Sequence, residues 1–317
     1  MAALPAVVVN GQPQLFQGRQ KTIYLSHSSR TLYEVCPRKY RHRYVDRLME
    51  EATSVNLVYG TAVDEATGAF MAAHALGRII DPVPIFERTF DEEAATKAVR
   101  YSTKFDSRDT CVTSGKRLVE LFVQKWLDLG YTAILDPEGK PLVQVEIRYR
   151  IEGAVEVTGF IDVIARDRSG RVLLLDVKTP SAASGETFTA KSMQLTNYQV
   201  GVEADPDRFG IDRIDGLGFF ELIKRPVTPR GAGPEVLDPV IQAPRTREAL
   251  DEYVEEMRFI ADDIRKKRFP CRPLDAYNSP CGEMCEFSRL CAFGDATGLV
   301  EKKPQPKVVE APSLPIE

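Results

Sequence analysis

The first half of the chain is patterned for helices, because apolar side chains recur in it at helical spacing. In residues 114–129 the apolar positions keep the i, i+3, i+4, i+7 spacing of one buried helix face. That face carries Val119, Phe122, Val123 and Trp126. Similar patterns predict helices over residues 29–48 and 60–76. The N-terminal part of the chain is therefore expected to be a helical lobe.

The pattern changes at residue 142 from a helical period to an alternating one. In residues 142–151 apolar residues alternate with polar ones, which is typical of a half-buried strand. Further strands and helices are predicted after it. The strands cover residues 157–165, 171–178 and 217–223, and the helices cover residues 190–202 and 245–267.

These elements predict a single α/β domain over residues 21–298, with a central mixed sheet flanked by helices. Residues 1–20 show little periodicity and are expected to be a flexible N-terminus. Residues 299–317 are rich in Pro, Lys and Glu and are expected to be a disordered tail.

Composition places this 317-residue chain among ordinary soluble globular proteins, with 43% hydrophobic and 28% charged residues. No apolar run approaches the roughly 18–20 residues that span a bilayer. The N-terminus also lacks the charged start and apolar run of a secretory signal. We therefore expect a cytoplasmic protein that has no membrane partner.

The formal net charge of −4 argues against a broadly basic DNA-binding protein, but it is compatible with a local basic patch. Arg38, Lys39 and Arg41 lie in such a patch, which continues to Arg47 and is interleaved with tyrosines. Two interpretations fit this segment. It is either a solvated face of an amphipathic helix or a surface that holds phosphates.

Two acidic residues are expected to face each other across a hairpin. The turn at residues 167–170 ends in glycine and predicts a three-residue loop with that glycine in the left-handed conformation. Paired residue numbers then sum to 338, which sets Asp162 opposite Asp176 at roughly 5 Å between Cβ atoms. Lys178 shares the face of Asp176, because side chains two apart on a strand point the same way.

Glu146 is expected to join this pair. A register centred on Ala154 sets Glu146 opposite Asp162. Three carboxylates so close together are costly unless they are protonated or share a cation, and oxygen ligands favour Mg²⁺ or Mn²⁺. Such an ion beside a lysine suits phosphodiester hydrolysis, because the metal activates water while the lysine orients the nucleophile or stabilises the transition state.

At these residues the chain resembles the PD-(D/E)xK nuclease superfamily, and the resemblance covers roughly residues 22–295. Ile161-Asp162 is similar to the first half of the signature, and Asp176-Val177-Lys178 is similar to the second half. The resemblance implies a restriction-endonuclease-like core. It also implies that Asp162 and Asp176 bind the metal, that Lys178 is catalytic, and that Glu146 is a further catalytic residue or ligand.

Within the superfamily the chain resembles the RecB-type branch, which includes CRISPR-associated and AddB-type exonucleases. Gln194 and Tyr198 match that branch's Gln-x-x-x-Tyr element and, with the basic residues Arg38, Lys39 and Arg41, are expected to contact DNA. One position departs from the family pattern. Asp64 stands where the family has a metal-binding histidine in a Gly-x-x-x-His setting, so we expect Asp64 to be a third ligand, with an altered metal preference or a weakened activity as the open alternatives.

The six cysteines are not expected to form structural disulfides, because the chain is expected to be cytoplasmic. The iron–sulfur members of this branch carry one cysteine before the core and three after it, which implies the ligands Cys36, Cys281, Cys285 and Cys291. Cys271 is the substitute should Cys281 prove free. Four thiolates suit a [4Fe–4S] cluster or zinc, and spacing alone does not separate them. The resemblance favours the cluster, in a structural role that clips the two chain ends together.

The resemblance implies an exonuclease that acts on single-stranded DNA or DNA ends, with recombination, repair, replication or CRISPR-adaptation proteins as partners. An alternative from another class is a non-catalytic DNA-binding or scaffolding subunit with a degraded metal site, which the departure at Asp64 favours. A third alternative is a zinc-stapled restriction-type endonuclease that cuts duplex sites.

Overall fold

The computed structural model describes residues 7–8, 21–275, 279–281 and 285–302. Their strands are β1 (Val7–Val8), β2 (Ile23–Ser26), β3 (Leu48–Glu50), β4 (Ala52–Ser54), β5 (Ala98–Arg100), β6 (Thr132–Ala133), β7 (Val143–Ile151), β8 (Val155–Arg166), β9 (Val172–Lys178), β10 (Gly216–Ile223), β11 (Glu235–Val236), β12 (Val240–Gln242) and β13 (Leu299–Glu301). Their helices are α1 (His27–Val35), α2 (Pro37–Tyr40), a π-helical turn (Arg41–Val45), α3 (Val55–Ala75), α4 (Val83–Ala95), α5 (Arg108–Leu129), α6 (Glu186–Ala190), α7 (Met193–Ala204), α8 (Pro206–Phe209), α9 (Arg247–Arg265) and α10 (Ser288–Phe293).

The chain folds into two compact units. The first combines the segment that ends at Arg30 with Ala52–Arg268, and the second combines Thr31–Glu51 with the segment that begins at Phe269. Among the described residues, no helix is long and apolar enough to cross a membrane.

The first unit is built on a mixed sheet of nine strands. Its main path runs in the order β1-β7-β8-β9-β10-β11, with β2 and β6 also paired to β8 and with β12 paired to β10. The β9–β10 and β2–β8 pairs are parallel and the others are antiparallel. The predicted α/β class with a central mixed sheet is confirmed.

Helices cover the sheet because its central strands are apolar on both faces. Leu173 and Leu175 of β9 belong to a buried core with the aromatic side chains of α3, α4 and α5, Trp126 among them. The next residue on β9, Asp176, instead contacts α7. Successive side chains of a strand point to opposite faces, so these contacts place α7 on the face opposite α3–α5.

Two of the predicted helices begin earlier than the apolar pattern indicates. α3 begins at Val55 because the Ser54 side chain accepts a hydrogen bond from the backbone N–H of Asn56. α5 begins at Arg108, where the Ser107 side chain caps the helix in the same way. The cap therefore decides the start of each helix.

The register is as predicted for one hairpin and wrong for the other. β8 pairs with β9 so that residue numbers sum to 338, as in Val163 opposite Leu175, and Gly170 has the left-handed φ of +86°. β7 pairs with β8 with a sum of 306, as in Ile151 opposite Val155. The second turn is therefore centred on Gly153 and not on Ala154, and both of these residues have positive φ.

In the second unit, the helix predicted over residues 29–48 is wrong as a continuous element. It is interrupted at Cys36, whose backbone is extended (φ −162°, ψ 109°), because the proline that follows disfavours the helical conformation at that residue. α2 and the π-helical turn come after the break. Leu299–Glu301, which the sequence places in the tail, pairs with β3 as an antiparallel strand.

Candidate functional site

A cleft of about 640 Å³ lies in the first unit, where β8 and β9 meet the start of α1, the middle of α3 and the start of α7. Its lining includes six of the side chains that the sequence singled out. Those are Asp64, Asp162, Asp176, Lys178, Gln194 and Tyr198. The fold therefore brings together four elements that are far apart in the sequence.

Asp176 is the most deeply buried acid of the cleft, with only 1% of its surface exposed. Its Oδ1 accepts hydrogen bonds from the Gln194 amide at 2.6 Å and from the Tyr198 hydroxyl at 2.6 Å. Tyr198 is itself buried and its hydroxyl contacts this carboxylate, while its expected contact with DNA stays a prediction. The two residues of the Gln-x-x-x-Tyr element thus fix the orientation of Asp176.

The other oxygen of Asp176 is held differently. Lys178 Nζ lies 2.7 Å from Oδ2 as an ion pair. Oδ2 is nevertheless buried without a hydrogen bond from the residues described, because the ammonium group does not meet hydrogen-bond geometry. A buried carboxylate oxygen in this state is suited to a cation. The lysine remains partly exposed and is 5.7 Å from the ring centre of Phe219.

Asp162 and Asp64 complete the acidic wall, and both bind protons more tightly than usual. The Asp162 Oδ2 accepts a hydrogen bond from the backbone N–H of Val177 at 2.7 Å. Burial, followed by the charges of Asp176 and Asp64, raises the pKa of Asp162 well above its ordinary range. Burial also raises the pKa of Asp64 to about 6, although the hydrogen bond from Gln144 opposes that rise.

Glu146 does not lie where the sequence placed it. The observed register sets Glu146 opposite Phe160 and not opposite Asp162, and Glu146 forms an ion pair with Arg148 at 3.0 Å. Gln144 lines the cleft instead, and its amide donates to Asp64 Oδ1 at 2.7 Å. The predicted register differs from the observed one by two in the sum of paired residue numbers, so the prediction had the correct face but the wrong side chain opposite Asp162.

Two polar residues of the cleft carry no signal in the sequence. His27 lines the cleft, and its Nδ1 is buried without a partner among the described residues. Burial, then the charges of Lys178 and Arg30, lowers the pKa of His27 to about 4, so the imidazole is neutral near pH 7. Asn197 accepts a hydrogen bond from the Tyr149 hydroxyl at 2.7 Å, and its Nδ2 is likewise buried without a partner in the described chain.

The chemistry of the acidic wall fits a divalent cation. Within the described residues, no three His, Cys, Asp or Glu side chains are gathered as tightly as in a formed metal site. The donors are nonetheless the right ones, since Asp64, Asp162 and Asp176 offer hard oxygens. The raised pKa values of Asp64 and Asp162 indicate that the protein compensates the charge of these carboxylates only in part, and Asp176 Oδ2 has Lys178 as its ion-pair partner but no hydrogen-bond donor among the described residues.

Comparison with known proteins identifies the family. A family model of the PD-(D/E)XK nuclease superfamily matches residues 24–292. The chain belongs to this superfamily. A solved structure titled "Crystal structure of SSO0001" is similar at 14% sequence identity and a TM-score of 0.31, with 83% of this chain and 96% of that chain covered. A search of curated proteins found no match.

Membership of the PD-(D/E)XK superfamily agrees with the fold and implies a nuclease. The mixed sheet flanked by helices is consistent with a restriction-endonuclease-like core. Asp162 stands near the middle of the long strand β8, and Asp176 and Lys178 stand at the end of β9. The two halves of the superfamily signature therefore lie on adjacent strands of one sheet.

The second unit of this PD-(D/E)XK chain contains the remaining predicted ligands. All of its cysteines are free thiols, of which Cys36 and Cys285 are buried. Cys291 Sγ lies 3.5 Å from His42 Nε2, and Cys281 Sγ lies 3.2 Å from the backbone oxygen of Arg272. Burial, followed by Cys271 and Cys285, raises the pKa of Cys291 to about 11. Cys271 is thus a close neighbour of Cys291, while the described contacts do not bring Cys36 to the other thiols.

The basic patch of the second unit is largely engaged within the protein. Arg38 donates to the backbone oxygen of Phe269 at 2.8 Å. Lys39 forms an ion pair with Glu286 at 2.6 Å, and both side chains are largely buried. These contacts favour a structural role for Arg38 and Lys39. Arg41 is more exposed, although it too pairs with an acid, Asp46.

Proposed function

We propose that this protein is a metal-dependent DNA nuclease that hydrolyses phosphodiester bonds, acting as an exonuclease on single-stranded DNA or DNA ends. The observation that carries the proposal is the shared cleft of Asp64, Asp162, Asp176 and Lys178. The high pKa values of Asp64 and Asp162 support it, because a bound cation would remove the cost of that uncompensated charge.

The protein's own residues supply orientation and charge. Gln194 and Tyr198 hold Asp176, Gln144 holds Asp64, and the backbone of Val177 holds Asp162. These donors hold each carboxylate in a fixed orientation, as hydrogen-bond partners of metal ligands do. A bound Mg²⁺ or Mn²⁺ would supply an activated water and charge neutralisation at the phosphate.

Lys178 is placed to act on the phosphate itself. Its ammonium group lies beside Asp176 and is partly exposed to the cleft. A positive charge at this point stabilises the negative charge that develops on the phosphate oxygens in the transition state. His27 stays neutral near pH 7 and so adds no positive charge on that wall.

The substrate part of the proposal follows from the RecB-type resemblance. The Gln-x-x-x-Tyr element is present and contacts the acid of the signature strand. In that branch, exonuclease action on single strands or ends is usual, and the partners would be DNA together with recombination, repair, replication or CRISPR-adaptation proteins.

The test is digestion of end-labelled single- and double-stranded DNA with Mg²⁺ or Mn²⁺. Wild-type protein should release products from the single strand, while Asp176→Asn and Lys178→Ala should lose at least about 100-fold in rate, as expected when a transition-state charge contact is removed. Lys140→Ala, an exposed lysine outside the cleft, is the control and should behave as wild type. DNA binding without cleavage by wild type would favour the scaffolding function instead.

We also propose that cysteines of the second unit hold a [4Fe–4S] cluster. The proximity of Cys271, Cys281, Cys285 and Cys291, which affect one another's thiols, supports a metal centre there. Among the described residues the thiols are not gathered as in a formed site. The role proposed for the cluster is the structural one that the resemblance implies. Iron and acid-labile sulfide in anaerobically purified protein, lost in Cys285→Ala, would support the cluster. Stoichiometric zinc in its place would overturn it.

The ligand set is tested by the same measurement. Cys36→Ala and Cys271→Ala distinguish the predicted fourth ligand from its substitute, because only the true ligand's loss removes the metal. Cys111→Ala is the matched control, since Cys111 is buried on α5 in the first unit. If the Cys36→Ala variant and the Cys271→Ala variant each retain the wild-type metal content, neither residue is a ligand of the centre.

A further inference from the structure

Phe160 is a large aromatic side chain that the fold leaves exposed on the wall of the cleft. It is 57% exposed, whereas the next residue on β8, Ile161, is fully buried. It lines the same cleft as Asp162, Asp176 and Lys178. Exposing a phenyl ring forgoes the stabilisation that burial gives, and this ring is exposed in the cleft that holds the acids.

The surroundings of Phe160 suit a nucleotide. Asp162 is two residues further along the strand, which corresponds to roughly 7 Å. That separation is comparable to the distance between a phosphate and the base of the same nucleotide. Phe160 pairs across the sheet with Glu146, and two residues further on Thr158 is opposite Arg148, whose side chain is 59% exposed and forms an ion pair with Glu146. An exposed ring thus lies near both the acidic wall and a guanidinium group.

We propose that Phe160 is a stacking surface for an unpaired base next to the phosphate that is cleaved. This inference rests on the proposed nuclease function and gives that function its substrate preference. Aromatic side chains bind single-stranded nucleic acid by stacking on base faces, whatever the sequence. In a duplex those faces are covered by the stacked neighbouring bases. The ring therefore favours single strands or frayed ends over intact duplex.

A single exposed aromatic residue is common on protein surfaces and has no function in most cases. The chain provides a matched example of such a residue. Phe259 on α9 is 66% exposed and does not line the cleft. If exposure alone mattered, the two phenylalanines would respond alike to substitution. The inference requires that, of these two residues, only Phe160 affects the KM for DNA.

The experiment compares wild type, Phe160→Ala, Phe160→Trp and Phe259→Ala on two single strands of equal length, one intact and one with abasic sites. Phe160→Ala should raise the KM for the intact strand about 5- to 100-fold, the loss expected for one stacked base, with a smaller change in kcat. Phe160→Trp should restore the wild-type KM, and Phe259→Ala should not change it. On the abasic strand, wild type and Phe160→Ala should have the same raised KM.

Two results separate this inference from the proposed function. If Phe160→Ala cleaves the intact strand with the wild-type KM, the stacking role is overturned while the nuclease function stands. If wild type cleaves no DNA with any divalent metal, the proposed function itself falls. The abasic strand tests the inference on unaltered protein, so a folding defect in a variant would not obscure it. If wild type has the same KM for the abasic strand as for the intact strand, the inference is also overturned.

Discussion

At the scale of single residues, the cleft is organised around three acids that the protein holds in place but neutralises only in part, through Lys178. Each of Asp64, Asp162 and Asp176 has one oxygen engaged by a hydrogen-bond donor. Lys178 is the ammonium group beside Asp176. Such a site costs stability in the absence of a cation and favours binding in its presence.

The pKa of Asp64 gives a prediction about stability. Because its pKa is raised from 3.8 to about 6, the folded state holds this proton more tightly than the unfolded state does. The stability that this group contributes is therefore complete below pH 3.8 and is lost as the pH rises through 6. We expect Asp64→Asn to raise the free energy of unfolding of the metal-free protein by up to about 3 kcal/mol at pH 7–8.

Urea unfolding of wild type and Asp64→Asn from pH 4 to pH 8 measures this effect. The difference between the two proteins should be small at pH 4 and should reach its plateau above pH 7. Taking the difference removes the opposite contribution of His27, whose lowered pKa makes stability rise with pH between about 4 and 6.5. A difference that does not depend on pH would contradict the account.

Tyr198 gives a second prediction at this scale. Tyr198→Phe removes the hydroxyl donor to Asp176 but leaves the donor from Gln194 in place. We expect cleavage to fall about 10- to 100-fold, as for other residues that orient a metal ligand. Tyr131→Phe, a change to another buried tyrosine, is the control. Unchanged cleavage with weakened DNA binding would show instead that Tyr198 contacts DNA.

At the scale of elements, local patterns predicted most strands and helices, and turn chemistry decided the registers. The hairpin of β8 and β9 was predictable because Gly170 adopts the left-handed conformation that its loop requires. The hairpin of β7 and β8 was not, because Ala154 shares positive φ with Gly153 and the loop therefore centres one residue earlier. The alternation of apolar and polar residues predicted which face of the sheet carries Glu146, but not which residue of β8 lies opposite it.

The register difference gives a third prediction. Because Gln144 and not Glu146 contacts the acids, Gln144→Ala should weaken metal-dependent cleavage about tenfold, as for loss of a donor to a metal ligand. Glu146→Gln should leave the rate within about threefold of wild type, since a surface ion pair contributes little. Steady-state cleavage rates at limiting Mn²⁺ compare the two. A larger loss of rate in Glu146→Gln than in Gln144→Ala would contradict this account and favour the register predicted from the sequence.

At the scale of the whole molecule, the cleft depends on contacts between segments far apart in the chain. Asp64 on α3 lies 80 residues from Gln144, the residue that holds it. The motif residues Asp162, Asp176 and Lys178 were predictable because two strands and one turn place them. The neutral imidazole of His27 was not, since nothing in its own segment indicates which cavity α1 would border.

The central claim is that the carboxylates of Asp64, Asp162 and Asp176 together hold a divalent cation. Calorimetric titration of the purified protein with Mn²⁺ at pH 7.5 tests it without reference to any substrate. We expect saturable binding to wild type and none to Asp176→Asn, with a proton released from Asp162 or Asp64 on binding because their pKa values are raised. Equal Mn²⁺ binding by wild type and Asp176→Asn, or no binding by wild type, would contradict the claim.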